Sequence, residues 1–456
     1  MSSRAQLTAA LASLSLAAAS CTPMEPTPSR ADDGIRAADS LVREWVETER
    51  VPGAVLLISR GGDIVFEEAY GWARLYEYRD GQGGASAAGE SWPAAMQRLA
   101  EPVPMTTETV FDLASVTKVM ATTFAVMLLV DEGELDLDAP VSAYLPDFVD
   151  NATASAQRPS GAGKDEITVR HLLTHRAGLF QWKPTYYHAG DAEQAYAYIR
   201  DLPLSWSPGA ERHYSDLGFM LLGRIVELVS GRPLGAFLDE RLYGPLALEA
   251  IEFQPVTPDD TSTSQDAPAS GTRRRPAGGP VGARRFAATS HGNPYEHRMV
   301  HDPGFGYSIG GDPEAWAGWR EHTLAGEVND GNAFHAFGGV AGHAGLFSTA
   351  ADLQVLLQLL LNRGEYGRRR YISAEVVDSF LAPTGDGQAL GWQVPDHAPA
   401  GSFSHTGFTG TYVLGVPAEG VALVLLTNRQ NLGVDGRGQY PDVGELQRAV
   451  SALLSR

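Results

Sequence analysis

The feature that most constrains this chain is an apolar helical segment, residues 116–130, that carries a lysine near its start. Ser115 and Lys118 stand three positions apart at its opening, and positions three apart in a helix share a face. The rest of the segment is apolar nearly all round, as expected of a helix buried on every side. Burial and the field of the helix N-terminus should lower the pKa of such a lysine. We therefore predict a nucleophile at Ser115 and a base or base-activator at Lys118.

A Ser-x-x-Lys pair is short enough to arise by chance, so its context matters. Lysine is scarce in this chain: Lys118, Lys164 and Lys183 are the only three among 35 Lys and Arg residues. The match also falls on the most apolar helical segment, where a charged side chain is costly without a purpose. These two observations favour the catalytic interpretation.

Length and charge restrict the class of protein. A chain of 456 residues suits two domains, or one domain with a large insertion. The net charge of −20 argues against nucleic acid as a partner and leaves no polybasic patch for a membrane surface.

The N-terminus predicts export. Residues 1–20 combine Arg4, an apolar run and small residues before a cleavage point, which is typical of a signal peptide. The only cysteine, Cys21, follows directly, and the arrangement resembles a bacterial lipoprotein signal with Cys21 as the lipidated residue. The alternative is ordinary secretion with cleavage near Ala19. We expect an exported, periplasmic protein that is anchored to the membrane through Cys21, with residues 21–34 as a tether.

Strand patterns stand at both ends of the chain, and helical patterns lie between them. A hairpin is predicted around residues 60–63, and late strands at 390–394, 402–406, 411–416 and 421–427. This order implies an antiparallel sheet built from both ends and flanked by helices (an α+β fold). We predict a sheet domain of residues 35–112 and 335–456, and a mostly helical domain of residues 113–334. Residues 257–285 are low-complexity and are expected to form a disordered loop, and residues 78–101 a surface insertion.

Three motifs now line up: Ser115-Val116-Thr117-Lys118, Tyr214-Ser215-Asp216 and His405-Thr406-Gly407. In this order they resemble the serine β-lactamase and penicillin-binding superfamily, in particular its class C β-lactamase-like branch of DD-peptidases, amidases and family VIII esterases. Residues 167–175 and 342–350 support the resemblance. It covers roughly residues 35–456 and implies a β-lactamase/transpeptidase-like fold with a large inserted helical domain.

The resemblance also implies a role for each motif. Ser115 would attack an amide or ester carbonyl, while Lys118 and Tyr214 share the proton. The backbone N–H groups of Ser115 and Phe408 would form the oxyanion hole. The third motif, with His405, Thr406 and Gly407, would face the substrate, and His405 and Thr406 its carboxylate. No cofactor is implied, and no other His or Cys stands near His171 and His175 at metal-binding spacing, so no metal site is expected.

Two residues depart from the β-lactamase pattern. His405 stands where class C β-lactamases carry lysine, so a fixed positive charge is missing at neutral pH. Asp216 stands where asparagine is usual, and its charge should raise the pKa of Lys118 and disfavour substrate carboxylates. Both departures favour a peptidase, amidase or esterase over a β-lactamase.

Residues 306–310 fit a second nucleophile motif, Gly-x-Ser-x-Gly, with Ser308 at its centre. That motif needs a strand before it and a helix after it, whereas Asp302-Pro303-Gly304 and Gly311-Asp312-Pro313 flank it here. We therefore keep Ser115 as the predicted nucleophile.

The sequence predicts an exported serine hydrolase that acts through an acyl-enzyme on D-Ala-D-Ala-type peptides or related amides. Its partners would be small peptide, amide or ester substrates and peptidoglycan fragments. A carboxylesterase or β-lactamase of the same fold, or a penicillin-recognising protein with little turnover, remains open because deacylation depends on where a water lies.

Overall fold

The architecture is described from a computed structural model, which covers residues 30–79, 96–150, 163–254, 286–305, 307, 309 and 311–454, with backbone only for 30–32. The predicted signal peptide, Cys21, most of the tether, the loop at 257–285 and Ser308 lie outside these residues.

Eleven strands are present in this part of the chain. They are β1 (Gly53–Arg60), β2 (Asp63–Tyr78), β3 (Met96–Pro104), β4 (Phe111–Asp112), β5 (Glu252–Phe253), β6 (Leu346–Ser348), β7 (Glu365–Tyr366), β8 (Arg369–Arg370), β9 (Phe403–Thr406), β10 (Thr411–Val416) and β11 (Val421–Thr427).

The α-helices of the same residues are α1 (Arg30–Glu47), α2 (Phe124–Asp131), α3 (Val169–Leu173), α4 (Ala192–Asp201), α5 (Asp216–Ser230), α6 (Leu234–Leu238), α7 (Pro294–His301), α8 (Ala350–Leu361), α9 (Ala374–Leu381) and α10 (Gly444–Leu454). Short 3₁₀ turns and three π-helical segments, Lys118–Thr123, Asp239–Tyr243 and Asn332–Ala336, complete them.

The main sheet has six antiparallel strands in the order β3-β2-β1-β11-β10-β9. Its central pair joins the two ends of the chain, with Leu57 opposite Val424 and Ala54 opposite Thr427. Side chains alternate between the two faces of a strand. Val55 and Leu57 therefore pack into one core, while Leu56 and Ile58 pack into another with α1 and α10.

The predicted α+β fold with a sheet from both chain ends is confirmed, and two local predictions are wrong. Residues 96–101, expected in an irregular insertion, belong to β3 and pair with β2. Residues 390–394, expected as a strand, form a loop in which only Gln393 bridges to Ser404. The division into a sheet domain and a helical domain stays a prediction; one continuous apolar core contains residues of both.

The predicted Ser115 helix is a composite. A 3₁₀ turn, Ala114–Val116, leads into the π-helical Lys118–Thr123 and then into α2. Together Ala114–Asp131 is long and apolar enough to cross a membrane, but most of it is buried inside the protein as the core helix. The apolar pattern thus reports burial in the core.

Candidate active site

The turn that carries Ser115 is held by a buried carboxylate. Asp112 Oδ1 accepts the N–H of Ala114 at 2.8 Å, and its Oδ2 accepts the N–H of Asn329 at 2.6 Å. Ala114 has φ 45°, a left-handed conformation that is uncommon for a residue with a side chain. Burial raises the pKa of Asp112 to about 6, against the effect of its two backbone donors. These hydrogen bonds therefore hold the turn that carries Ser115 in an uncommon backbone conformation.

Lys118 lies at the centre of the site, and its side chain is wholly buried. Its Nζ donates to Ser115 Oγ at 2.9 Å and to the carbonyl of His343 at 3.0 Å. Asp216 Oδ1 lies 2.7 Å from the same Nζ, as an ion pair without the direction of a good hydrogen bond. The sequence therefore placed Ser115, Lys118 and Asp216 together correctly.

The expected lowering of the Lys118 pKa is wrong. Burial does favour the neutral amine, but the charge of Asp216 and the proximity of Tyr214 outweigh it, so the pKa of Lys118 is raised. The predicted upward effect of Asp216 is confirmed.

Tyr214 completes the cluster around Ser115. The side chains of Lys118 and Ser115 both act to lower the pKa of its hydroxyl, and Lys118 Nζ lies 5.1 Å from the ring centroid. Burial and Asp216 raise the pKa of Tyr214 although Lys118 works in the opposite direction. Asp216 begins α5, whose N-cap Ser215 accepts the N–H of Gly218 at 3.2 Å, so helix capping fixes the Tyr214-Ser215-Asp216 motif.

The ring of His175 packs against the ring of Tyr214. The two ring centroids lie 4.4 Å apart, and His175 Nδ1 accepts the N–H of Ser215 at 3.0 Å. This contact places the ring proton on Nε2, which has no partner among the described residues. Burial lowers the pKa of His175 well below its ordinary value, so the ring is neutral. His175 therefore acts as a structural hydrogen-bond acceptor.

His405 lies on β9 with its ring 6.3 Å from that of Tyr214. Its Nδ1 is 2.8 Å from the carbonyl of Thr406, which must be accepting, so Nε2 carries the lone pair. Burial, with help from the charge of Lys118, lowers the pKa of His405 to about 3. The ring is therefore neutral over the ordinary pH range.

The turn after β9 packs directly on the Ser115 turn. Thr409 Oγ1 donates to the carbonyl of Asp112 at 2.8 Å, and Thr411 Oγ1 to that of Leu113 at 2.9 Å. A Cβ on Gly407 would stand 2.4 Å from the Leu113 carbonyl, so only glycine permits this approach. Next to it, the Phe408 N–H donates to no acceptor recorded among the described residues. Its position suits the oxyanion hole that the sequence predicts.

Sequence reasoning missed a second carboxylate near Lys118. Asp330 Oδ1 lies 2.9 Å from His343 Nε2, and the carbonyl of His343 accepts from Lys118. The charge of His343 holds the pKa of Asp330 below its usual value despite burial. The segment that contains His343 supported the resemblance, but nothing local to it indicates a partner at Asp330. In the described residues no group of three or more His, Cys, Asp or Glu side chains is arranged to hold a metal ion.

The site is that of a serine hydrolase, and comparison with known proteins identifies its family. The Beta-lactamase family model matches residues 38–447. The chain belongs to the Beta-lactamase family, the serine β-lactamase and penicillin-binding superfamily that its motifs resemble.

Curated relatives align over most of their length. The chain is 33% identical over 413 residues to an N-acetylmuramyl-L-alanine amidase of Bacillus subtilis, covering 86% of this chain and 81% of that protein. It is 30% identical over 463 residues to a putative D-alanyl-D-alanine carboxypeptidase of Escherichia coli K12, covering 95% and 93%.

Solved structures confirm the fold. A penicillin-binding protein homologue from Caulobacter crescentus is 20% identical with a TM-score of 0.59, covering 94% of this chain and 98% of that one. A class C β-lactamase is 16% identical with a TM-score of 0.59, covering 93% and 98%. The predicted β-lactamase/transpeptidase-like fold is therefore confirmed.

Proposed function

We propose that this serine hydrolase cleaves an amide bond of peptidoglycan-type peptides through an acyl-enzyme on Ser115. One observation carries the proposal: Nζ of the wholly buried Lys118 donates to Ser115 Oγ at 2.9 Å. The names of the two curated relatives, an amidase and a putative carboxypeptidase, support an amide as the scissile group.

In the acylation step, Ser115 Oγ forms a bond to the carbonyl carbon and gives up its proton to the cluster of Tyr214 and Lys118. The N–H groups of Ser115 and Phe408 stabilise the oxyanion. The C–N bond then breaks, and the same proton passes to the leaving amine. In deacylation, water attacks the ester, one of its protons enters the cluster, and Ser115 recovers it as the acid leaves.

The raised pKa values of Lys118 and Tyr214 keep both groups protonated in the resting site. The reactive form is the one with a proton fewer in this cluster. Asp216 balances the positive charge of Lys118. We assign the proton that the cluster must lose to Lys118 and Tyr214 jointly, because each of the two groups shifts the pKa of the other.

A carboxylesterase of the same mechanism is the second candidate. It is favoured by the neutral state of His405, which offers no positive charge where the resemblance expects one for a substrate carboxylate. The ring of Phe408, beside this turn, is exposed, and an exposed aromatic ring suits an uncharged acyl or alcohol group.

The test compares four substrates on the purified protein: an N-acyl-D-Ala-D-Ala peptide, an N-acetylmuramyl-L-alanyl peptide, a p-nitrophenyl ester and a fluorescent penicillin. We expect Ser115-dependent release of D-alanine, or of the L-alanyl peptide from N-acetylmuramic acid, and a mass increase on Ser115 during turnover. Ester hydrolysis without cleavage of either peptide would move the assignment to the esterase. A penicillin adduct that persists through a chase, without any turnover, would indicate a binding protein.

Export and lipid anchoring are part of the same proposal. The composition of residues 1–20 and the position of Cys21 support it. Cells expressing the full chain should incorporate labelled palmitate into the protein and lose that label in Cys21→Ala. Recovery of unlabelled, unprocessed protein from the cytoplasm would contradict it.

A further inference from the structure

The segment that leads into α5 places an arginine beside the catalytic cluster. Residues 212–215 have no helical structure, and Ser215 is extended with φ −136°. In an extended segment side chains alternate between sides. The ring of His213 stacks on Trp206 at 3.6 Å, so Arg212 shares the opposite side with Tyr214. In agreement, the charge of Arg212 helps to hold down the pKa values of His405 and His175.

The guanidinium of Arg212 has no carboxylate partner among the described residues. Its Nε donates to Gln388 Oε1 at 3.1 Å, and no ion pair is formed. The neighbouring Arg176 differs, because its guanidinium pairs with Asp386. Arg212 is half-buried, and burial lowers its pKa. Asp386 attracts Arg212 at longer range but is already paired with Arg176. A partly desolvated cation without a direct ion pair is unfavourable unless something else binds it.

Gln388 adds a second unused donor to the same place. A guanidinium has donors only, so its contact fixes Oε1 of Gln388 toward Arg212 and leaves the amide Nε2 on the other side. This Nε2 is buried and has no acceptor in the described part of the chain. Gln388 bridges to Gln393, which pairs with Ser404, the residue before His405 on β9. The two donors therefore lie at the His405 side of the site.

Among the basic side chains of the site, Arg212 is the cation suited to bind a substrate carboxylate. Lys118 is matched by Asp216, and His405 is neutral. We propose that Arg212 and Gln388 form a subsite for a substrate carboxylate, with Arg212 as the residue that determines preference for acidic peptides. This inference rests on the proposed amide hydrolase function and names its substrate class: peptides with a free carboxylate within reach of Ser115.

The experiment uses two peptides that differ only in a terminal carboxylate or carboxamide. Wild type should prefer the carboxylate in kcat/KM. Arg212→Gln should lower kcat/KM for the carboxylate peptide by about 10- to 100-fold and so remove the preference, since charge-assisted hydrogen bonds are of that strength. Arg212→Lys should restore part of it. Arg170→Gln, which removes an arginine paired with Asp138 and leaves Asp386 bound to Arg176, should keep the wild-type ratio.

A binding measurement separates this inference from the proposed function. Calorimetric titration of the two peptides into Ser115→Ala, with and without Arg212→Gln, needs no turnover. Tighter binding of the carboxylate peptide that disappears with Arg212→Gln supports the subsite even if neither peptide is hydrolysed. An equal loss for both peptides, or an unchanged ratio, overturns it while leaving Ser115 catalysis intact. Thermal unfolding of each variant checks that the fold is retained.

Discussion

Asp216 Oδ1 lies 2.7 Å from Nζ of Lys118, and the lysine side chain has no exposed surface. This ion pair explains why the pKa of Lys118 is raised although the side chain is buried. The same carboxylate also raises the pKa of Tyr214. Asp216 therefore holds both proton-accepting groups of the site in their protonated forms, and activity should rise with pH.

Asp216→Asn should move the rising limb of the pH–rate profile to lower pH. Removing the carboxylate lowers the pKa of Lys118 and the pKa of Tyr214. The deprotonated cluster therefore forms at a lower pH, whichever of the two groups loses the proton. The variant should also lose about 1–3 kcal/mol of stability, because the buried lysine loses a charged partner. kcat/KM measured from pH 5 to 10 checks this; an unchanged limb would show that Asp216 does not control the titration.

Ser115→Ala should lower activity on every hydrolysed substrate by about 10³-fold or more, because it removes the hydroxyl that Lys118 contacts. Thermal unfolding should change little. Ser308→Ala is the matched control for the competing motif at residues 306–310 and should retain activity. If Ser308→Ala is inactive and Ser115→Ala keeps its activity, Ser308 is the nucleophile and the assignment of Ser115 is wrong.

Lys118→Ala and Tyr214→Phe should each reduce kcat/KM by roughly 10²-fold or more, and the double variant should be only slightly worse than the poorer single one. When two groups transfer the same proton, removing either one disables the step, so removing the second adds little. The measurement is a double-mutant cycle on one substrate. Losses that multiply would show that the two side chains act independently.

His405 should make the protein less stable in acid. Its pKa is about 3 in the folded protein and about 6.5 when exposed, so between these values the unfolded chain binds a proton that the folded one does not. Stability is then complete above pH 6.5 and falls as the pH drops toward 3, by up to about 1.4 kcal/mol per pH unit. Urea unfolding of wild type and His405→Gln at pH 4 to 7 should show a shallower slope in the variant. Equal slopes would mean that His405 is protonated in the folded state.

Gly407→Ala should reduce both activity and stability. The new Cβ would stand 2.0 Å from Thr411 Oγ1 and 2.4 Å from the Leu113 carbonyl, so the turn must move away from Ser115. Overpacking of this kind costs about 1–3 kcal/mol. Gly436→Ala, where a Cβ meets nothing within 4 Å, is the control. Full activity in Gly407→Ala would show that the close approach is dispensable.

Motif order was sufficient to find Ser115, Lys118, Tyr214 and His405, because each belongs to a short segment of characteristic residue types. The protonation states were not accessible in the same way. They follow from competition between burial and neighbours such as Asp216, and both are tertiary quantities. The error for the pKa of Lys118 has this origin.

Local patterns also could not show partners far along the chain. Arg212 and Gln388 are 176 positions apart, and Asp112 meets the backbone of Asn329 across 217 positions. The apolar pattern of Lys118–Thr123 is that of an α-helix, so it does not indicate the π-helical geometry. The pairing of β3 with β2 could not be predicted, because the long connection between the two strands has no turn signal that sets their register.

The pairing of β1 with β11 has a consequence for the timing of activity during biosynthesis. Ser115 and Lys118 are made early, but Phe408 and the β9 turn that packs on them come from the C-terminal end, and β11 must close the sheet between them. Loops of this length form slowly. A nascent or unfolded chain would therefore have the proposed nucleophile without the proposed oxyanion hole, and we expect hydrolase activity only after its two ends meet.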